Sequence, residues 1–164
     1  PKLEQALRQA ISNLVAMRET EGSNIYGDFI KRADLIAEKL AVIEERSPQV
    51  VEEYQIRLSD RINELLAKHN QVIEPERLLQ EVAIFADRTS ITEEIVRLKS
   101  HIKQFKLIID ADQPVGRKLD FLIQEFNREA NTIASKANDY TLAQVVVEIK
   151  AEIEKIREQI QNIE

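Results

Sequence analysis

Apolar residues recur along this chain at helical rather than strand spacing. Leu3, Leu7, Ala10, Leu14 and Met17 alternate steps of four and three, which places them on one helix face. The stripe resumes at Ile25, Phe29, Ile36, Leu40 and Ile43, beyond Gly22 and Gly27. Residues 3–46 thus read as one long helix with a soft centre or as two helices. As one helix they would span about 66 Å at roughly 1.5 Å per residue. Ser47–Pro48 is a turn signal and a good cap and first-turn pair for a new helix. That helix carries Val51, Tyr54, Leu58, Ile62 and Leu65 and runs to about Lys68. The expectation for residues 1–72 is a long antiparallel helical hairpin, projecting as an arm.

Residues 73–164 read as a second, helical domain. His69 to Glu74 is a short polar connection, and Pro75 opens a helix through about Asp87. Ser90 with Glu93 resembles a capping box, Thr92 being an equally good cap, for a helix with Ile95, Leu98, Ile102, Phe105 and Ile109 on one face. Asp110 to Gly116 breaks it, and another helix covers about Arg117 to Ala137. In the last helix Leu142, Val146, Ile149, Ile153, Ile156, Ile160 and Ile163 keep the four-and-three rhythm throughout. Such a coiled-coil-like seam invites a partner helix, in this chain or another. The expected fold is all-α: a hairpin arm plus a helical bundle ending in that helix.

Composition narrows the picture. With 3 Gly and 4 Pro in 164 residues the chain has few turns, which excludes sandwiches, barrels and doubly wound sheets. It has no cysteine, so disulfides and thiolate zinc sites are excluded, as is a cysteine nucleophile. No apolar run reaches the roughly 20 residues of a membrane span, and no signal peptide is visible. The first residue is Pro1 rather than Met, and the chain reads as a fragment of a longer protein.

The net charge of −6 is unevenly placed. Between Arg97 and Lys136 eight Lys/Arg face five Asp/Glu, a local +3 that suits a phosphate contact as well as a plain solvated surface. Two polar stripes depart from interchangeable Lys and Glu. Glu94, Arg97, His101 and Gln104 follow at steps of three, four and three on one helix; Asp120, Gln124, Asn127 and Asn131 form a similar stripe on the next, with Arg117 and Arg128 beside them. Asn is a mediocre helix former and neither amide adds charge, so these residues suit a ligand, a hydrated metal or a polar contact between helices. The stripes are expected to face each other. No Gly-rich phosphate loop, His-Glu-x-x-His helix or Gly-x-Ser-x-Gly elbow is present. Phosphodiester chemistry here would use a carboxylate-held metal, or histidine and carboxylate as acid and base.

Four stretches carry a family resemblance: Glu81–Arg88 (EVAIFADR), Ile91–Phe105 (ITEEIVRLKSHIKQF), Gly116–Asp139 (GRKLDFLIQEFNREANTIASKAND) and Val147–Glu164 (VEIKAEIEKIREQIQNIE). In order and spacing they resemble the YicC/YloC endoribonuclease family, as does Met17–Gly22 (MRETEG) more loosely. The chain departs from that pattern at Phe126, where Met is expected, and at Ala134, where Gly is expected. The resemblance implies a bacterial, cytoplasmic, metal-dependent endoribonuclease whose N-terminal domain lies outside this chain, similar to proteins that assemble as ring-like hexamers. Its partners would be RNA and further copies of itself, and its cofactor Mn²⁺ or Mg²⁺. By residue type and helical spacing within the matching stretches, the candidate catalytic residues are Glu94, His101, Asp120, Gln124, Glu125 and Asn127. Arg97, Arg117, Lys118, Arg128, Asn131 and Lys136 are the candidates for RNA binding, and Glu81, Asp120 and Glu125 for metal. The rival reading is a non-catalytic helical module for oligomerisation or for RNA or protein binding.

Overall fold

The computed structural model describes residues 2–67, 74–111 and 114–161. All regular structure among them is helical: α1 (Lys2–Ala67), α2 (Pro75–Thr89), α3 (Thr92–Ile109), α4 (Gly116–Lys136) and α5 (Tyr140–Ile160). The all-α expectation holds, but the hairpin turn at Ser47–Pro48 does not. α1 is one helix of 66 residues with Pro48 inside it, about 99 Å long at roughly 1.5 Å per residue. Proline removes one backbone donor and crowds the preceding turn, a cost of about 3 kcal/mol in a helix interior. Burial on both sides offsets it. Ile43 and Val50, seven residues apart, lie on the same face and are both in the core.

Ion pairs and ring contacts give the helix directions. Arg32, Lys39 and Arg46 of α1 meet Glu152, Glu148 and Asp139 respectively, so α5 runs antiparallel to α1. Asp34 and Glu44 meet Lys106 and Lys99, which makes α3 antiparallel to α1 as well. Lys136 meets Glu94 near the start of α3, and Phe126 packs on Phe105 further along it, so α4 runs back against α3. The result is an up-down-up-down four-helix bundle of α1, α3, α4 and α5. One core holds Phe29 to Val50 of α1 together with Ile91 to Ile160. The arm expected over 1–72 is therefore not a separate body, since its middle is one wall of the bundle.

α2 packs on the far part of α1, where Phe85 stacks on Tyr54 with ring centroids 3.7 Å apart. Residues 2–24, at the other end of α1, are all exposed, including the predicted apolar stripe from Leu3 to Met17. The seam of α5 finds its partners within this chain: Leu142, Val146, Ile149, Ile153, Ile156 and Ile160 are buried in the bundle core. Ile163 and His69 lie outside the described residues. Neither Ser90 nor Thr92 caps α3. Its first position is preceded by Ile91 with no side-chain cap bond, while Ser90 closes α2 by donating its N–H to the Asp87 carbonyl. A true side-chain cap starts α5, where Asp139 accepts from the Leu142 N–H at 2.9 Å.

Candidate metal and RNA site on the fourth helix

The buried stripe of α4 comprises Leu119, Leu122, Ile123, Phe126, Ala130 and Ile133, with Glu129 at its edge. At 3.6 residues per turn, the polar positions beside it fall into two groups roughly 150° apart. Glu125, Glu129 and Lys136 lie on the flank toward α3. Asp120, Gln124, Asn127 and Asn131 lie on the other, where they line an open groove of about 720 Å³ with Arg128, Thr132, Arg157 and Gln161. The two polar stripes expected to face one another do not meet. The amide stripe faces α5 instead.

The α3 flank forms a charged seam in three levels. At one end Lys136 donates to Glu94 at 2.8 Å. Glu94 is 5% exposed, and its second carboxylate oxygen is buried without a hydrogen-bond partner. Burial, the strongest single influence, pushes the Glu94 carboxyl up. The Lys136 bond, a backbone bond and the nearby charges of Lys136 and Arg97 outweigh it and hold the group below the usual carboxylate range. In the middle, Arg97 donates to Glu93 at 2.9 Å and reaches Glu129, which is 3% exposed, at only 3.8 Å. At the third level stands His101, near Glu125 and Glu129; one ligand atom from each of the three lies within 4.8 Å of the others.

These three residues have the composition and proximity of a divalent-cation site: one imidazole and two carboxylates one helical turn apart. The imidazole Nδ1 of His101 is buried and has no hydrogen-bond partner. Both carboxylates are only loosely paired, Glu129 with Arg97 and Glu125 with Arg128, each at 3.8 Å, beyond hydrogen-bond reach. Their oxygens are therefore available to a ligand.

The residues expected from sequence thus divide. Glu94, His101 and Glu125 share the α3 flank, where Glu129 joins them. Asp120, Gln124 and Asn127 share the α5 flank, where Gln124 donates to Asp120 at 3.1 Å. Glu81 is exposed on α2 and belongs to neither group. Of the cations, Arg97 and Lys136 are tied to seam carboxylates, whereas Arg117 and Lys118 line grooves at the start of α4. Glu129 joins the candidate group without being among the residues expected from sequence. Its signal was present, because it follows Glu125 by four and is out of phase with the amide stripe.

A helical bundle with a partly buried carboxylate–histidine seam defines a class of protein in which opposed helices hold a charged centre. Comparison makes the class specific: residues 43–164 match the family described as "Endoribonuclease YicC-like, C-terminal". The chain belongs to the YicC-like endoribonuclease family. A "probable endoribonuclease YicC" of Clostridioides difficile is 53% identical over 162 residues, covering 99% of this chain and 55% of that protein. A protein of the same description from Haemophilus influenzae is 37% identical over 159 residues, covering 97% of this chain and 54% of its own length. The chain spans about half the length of these curated relatives. Among the described residues, no helix is long and apolar enough to cross a membrane.

Proposed function

We propose that this chain is the helical part of a metal-dependent endoribonuclease, with the chemistry on the α3 flank of α4. The observation that carries the reading is the group of His101, Glu125 and Glu129, standing within the stretch that matches the family. These side chains would hold the divalent cation, and their mixed nitrogen and oxygen donors suit Mn²⁺ better than Mg²⁺. Bound there, the cation would polarise the phosphodiester and lower the pKa of a bound water. Glu129 is positioned by burial and by the positive charge of Arg97. Glu94 keeps Lys136 at the end of the seam, so that this cation balances the carboxylates rather than meeting substrate alone. Arg117 and Lys118 are the better candidates for phosphate contact.

The test uses the full-length protein and RNA, with EDTA, Mg²⁺ or Mn²⁺ present. Cleavage is expected in Mn²⁺ and not in EDTA. Glu129→Gln and His101→Ala should each lower the rate by about 100-fold or more, the range for loss of a group acting directly on the reacting centre. Both should also weaken Mn²⁺ binding followed by calorimetry. Wild-type cleavage and Mn²⁺ affinity in both variants would remove the site from the reading.

A second reading rests on a separate observation, the exposed apolar stripe of Leu3, Leu7, Leu14 and Met17. It makes the free end of α1 an assembly arm, in keeping with the homo-oligomer and cytoplasmic setting that the resemblance implies. Arm and nuclease are compatible within one protein.

A further inference from the structure

α4 carries one large apolar side chain that the core does not use. Phe121 lies off the buried stripe and is 65% exposed. Arg117 and Lys118 precede it by four and three residues, on the adjoining turn. All three line a groove on the α3 side of α4 with Gln104, Ile108 and Leu122. Neither cation has an ion-pair partner among the described residues, whereas Arg97, Lys99, Lys106 and Lys136 each hold a carboxylate.

Arg117 and Lys118 also line a second groove, with Asp120 and Gln161. Those last two residues in turn belong to the amide-lined groove between α4 and α5. These shared lining residues set the three grooves side by side around the start of α4, a cylinder roughly 10 Å across.

We propose that these adjoining grooves bind single-stranded RNA, with Phe121 as the platform on which one base stacks and Arg117 and Lys118 on the neighbouring phosphates. The inference rests on the endoribonuclease reading and adds the substrate class to it. An exposed aromatic one turn from two cations that hold no carboxylate among the described residues supplies what a flexible strand needs: a π-face for a base and positive charge for the backbone. Beyond it, Asn127 and Asn131 offer donors and acceptors for base edges. Duplex RNA fits poorly, because its bases are already stacked inside and a stiff helix cannot follow so tight a turn. The position is also apt for the chemistry. Phe121 precedes Glu125 by one helical turn, a rise of roughly 6 Å, so a base stacked there sets a nearby phosphate beside the His101 group.

The experiment measures fluorescence anisotropy with the full-length protein in EDTA. The probes are a labelled oligouridylate of about twelve nucleotides and a mixed-sequence RNA duplex of about twelve pairs. Tighter binding of the single strand is expected. Phe121→Ala should weaken it by about 5- to 150-fold, the loss of one base stack. Phe121→Trp should stay near wild type, and duplex binding should be little changed. Because Phe121 is exposed, the variants should keep their helical circular dichroism. Single-strand affinity unchanged in Phe121→Ala, with wild-type RNA cleavage in Mn²⁺ intact, overturns the platform and leaves the nuclease reading standing. Unchanged affinity with altered elution on gel filtration assigns Phe121 to a protein contact and also overturns it. A wild-type protein that neither binds nor cuts RNA removes both.

Discussion

Asp139 closes the bundle at one corner through two contacts. Its carboxylate caps α5 and also accepts from Arg46 at 2.8 Å, tying the start of α5 to the middle of α1. The Arg46 bond, ahead of the backbone cap, holds the Asp139 carboxyl below its ordinary range although burial pushes the other way. A folded-state pKa below the unfolded one means that the unfolded chain binds the proton more readily. The stabilisation is thus fully present above the unfolded value near 4 and is lost as pH falls through the depressed folded value. Asp139→Ala should cost about 2 kcal/mol at neutral pH, from a cap worth about 1 kcal/mol and a charge-assisted bond of similar size. Denaturant titrations at pH 7 and pH 3 are the check. The gap between wild type and variant should shrink at the lower pH, and a gap independent of pH would show that the carboxylate charge is not what matters.

At this same scale the candidate site is half legible in the sequence. Glu94, His101 and Glu125 stand out by type and spacing, because a charged stripe interrupted by histidine is unusual on a helix. Glu129 was hidden by the more conspicuous amides. A helical wheel would have separated the two flanks of α4. It could not have said which flank meets α3 and which meets α5, because that depends on the handedness with which the bundle closes, and spacing along one helix does not encode it.

Elements were legible wherever an apolar stripe had a neighbour to bury it, and α2 through α5 fall where the rhythm put them to within a few residues. No turn forms at Pro48 because core burial of Ile43 and Val50 on either side overrides the local turn signal. The four-and-three rhythm in fact passes through Ser47 to Val50, so the stripe carries across the proline in phase. With α1 continuous, Pro48 is a destabilising residue in a helix interior, exposed to solvent and leaving the Glu44 carbonyl without its helical donor. Pro48→Ala should therefore stabilise the protein by about 1–3 kcal/mol, read as a higher urea midpoint with unchanged slope. If the chain instead turned there, the same substitution would lower the midpoint, so the sign decides between the two geometries.

Over the whole molecule, burial is concentrated in the middle of α1 and the three helices around it. Nothing in residues 2–24 is buried, so their removal takes no apolar surface out of the core. A chain beginning at Ile25 should melt within a few degrees of the parent chain, since the shift scales with the free energy removed. A large drop in the concentrated protein but not the dilute one would mean that the arm contributes through association.

Gly22 and Gly27 sit where α1 leaves the bundle, and a Cβ at either would meet nothing within 4 Å. Packing therefore does not require glycine there, while glycine lowers helix stiffness and stability relative to alanine. Mechanically, the free end of α1 is a moment arm of about 33 Å at roughly 1.5 Å per residue, with its weakest section at the fulcrum. A tilt of about 10° at those two glycines carries the tip through roughly 6 Å over that length. Whatever grips Leu3 and Leu7 can thus travel a distance on the scale of one nucleotide while the bundle, and the charged seam within it, stays still.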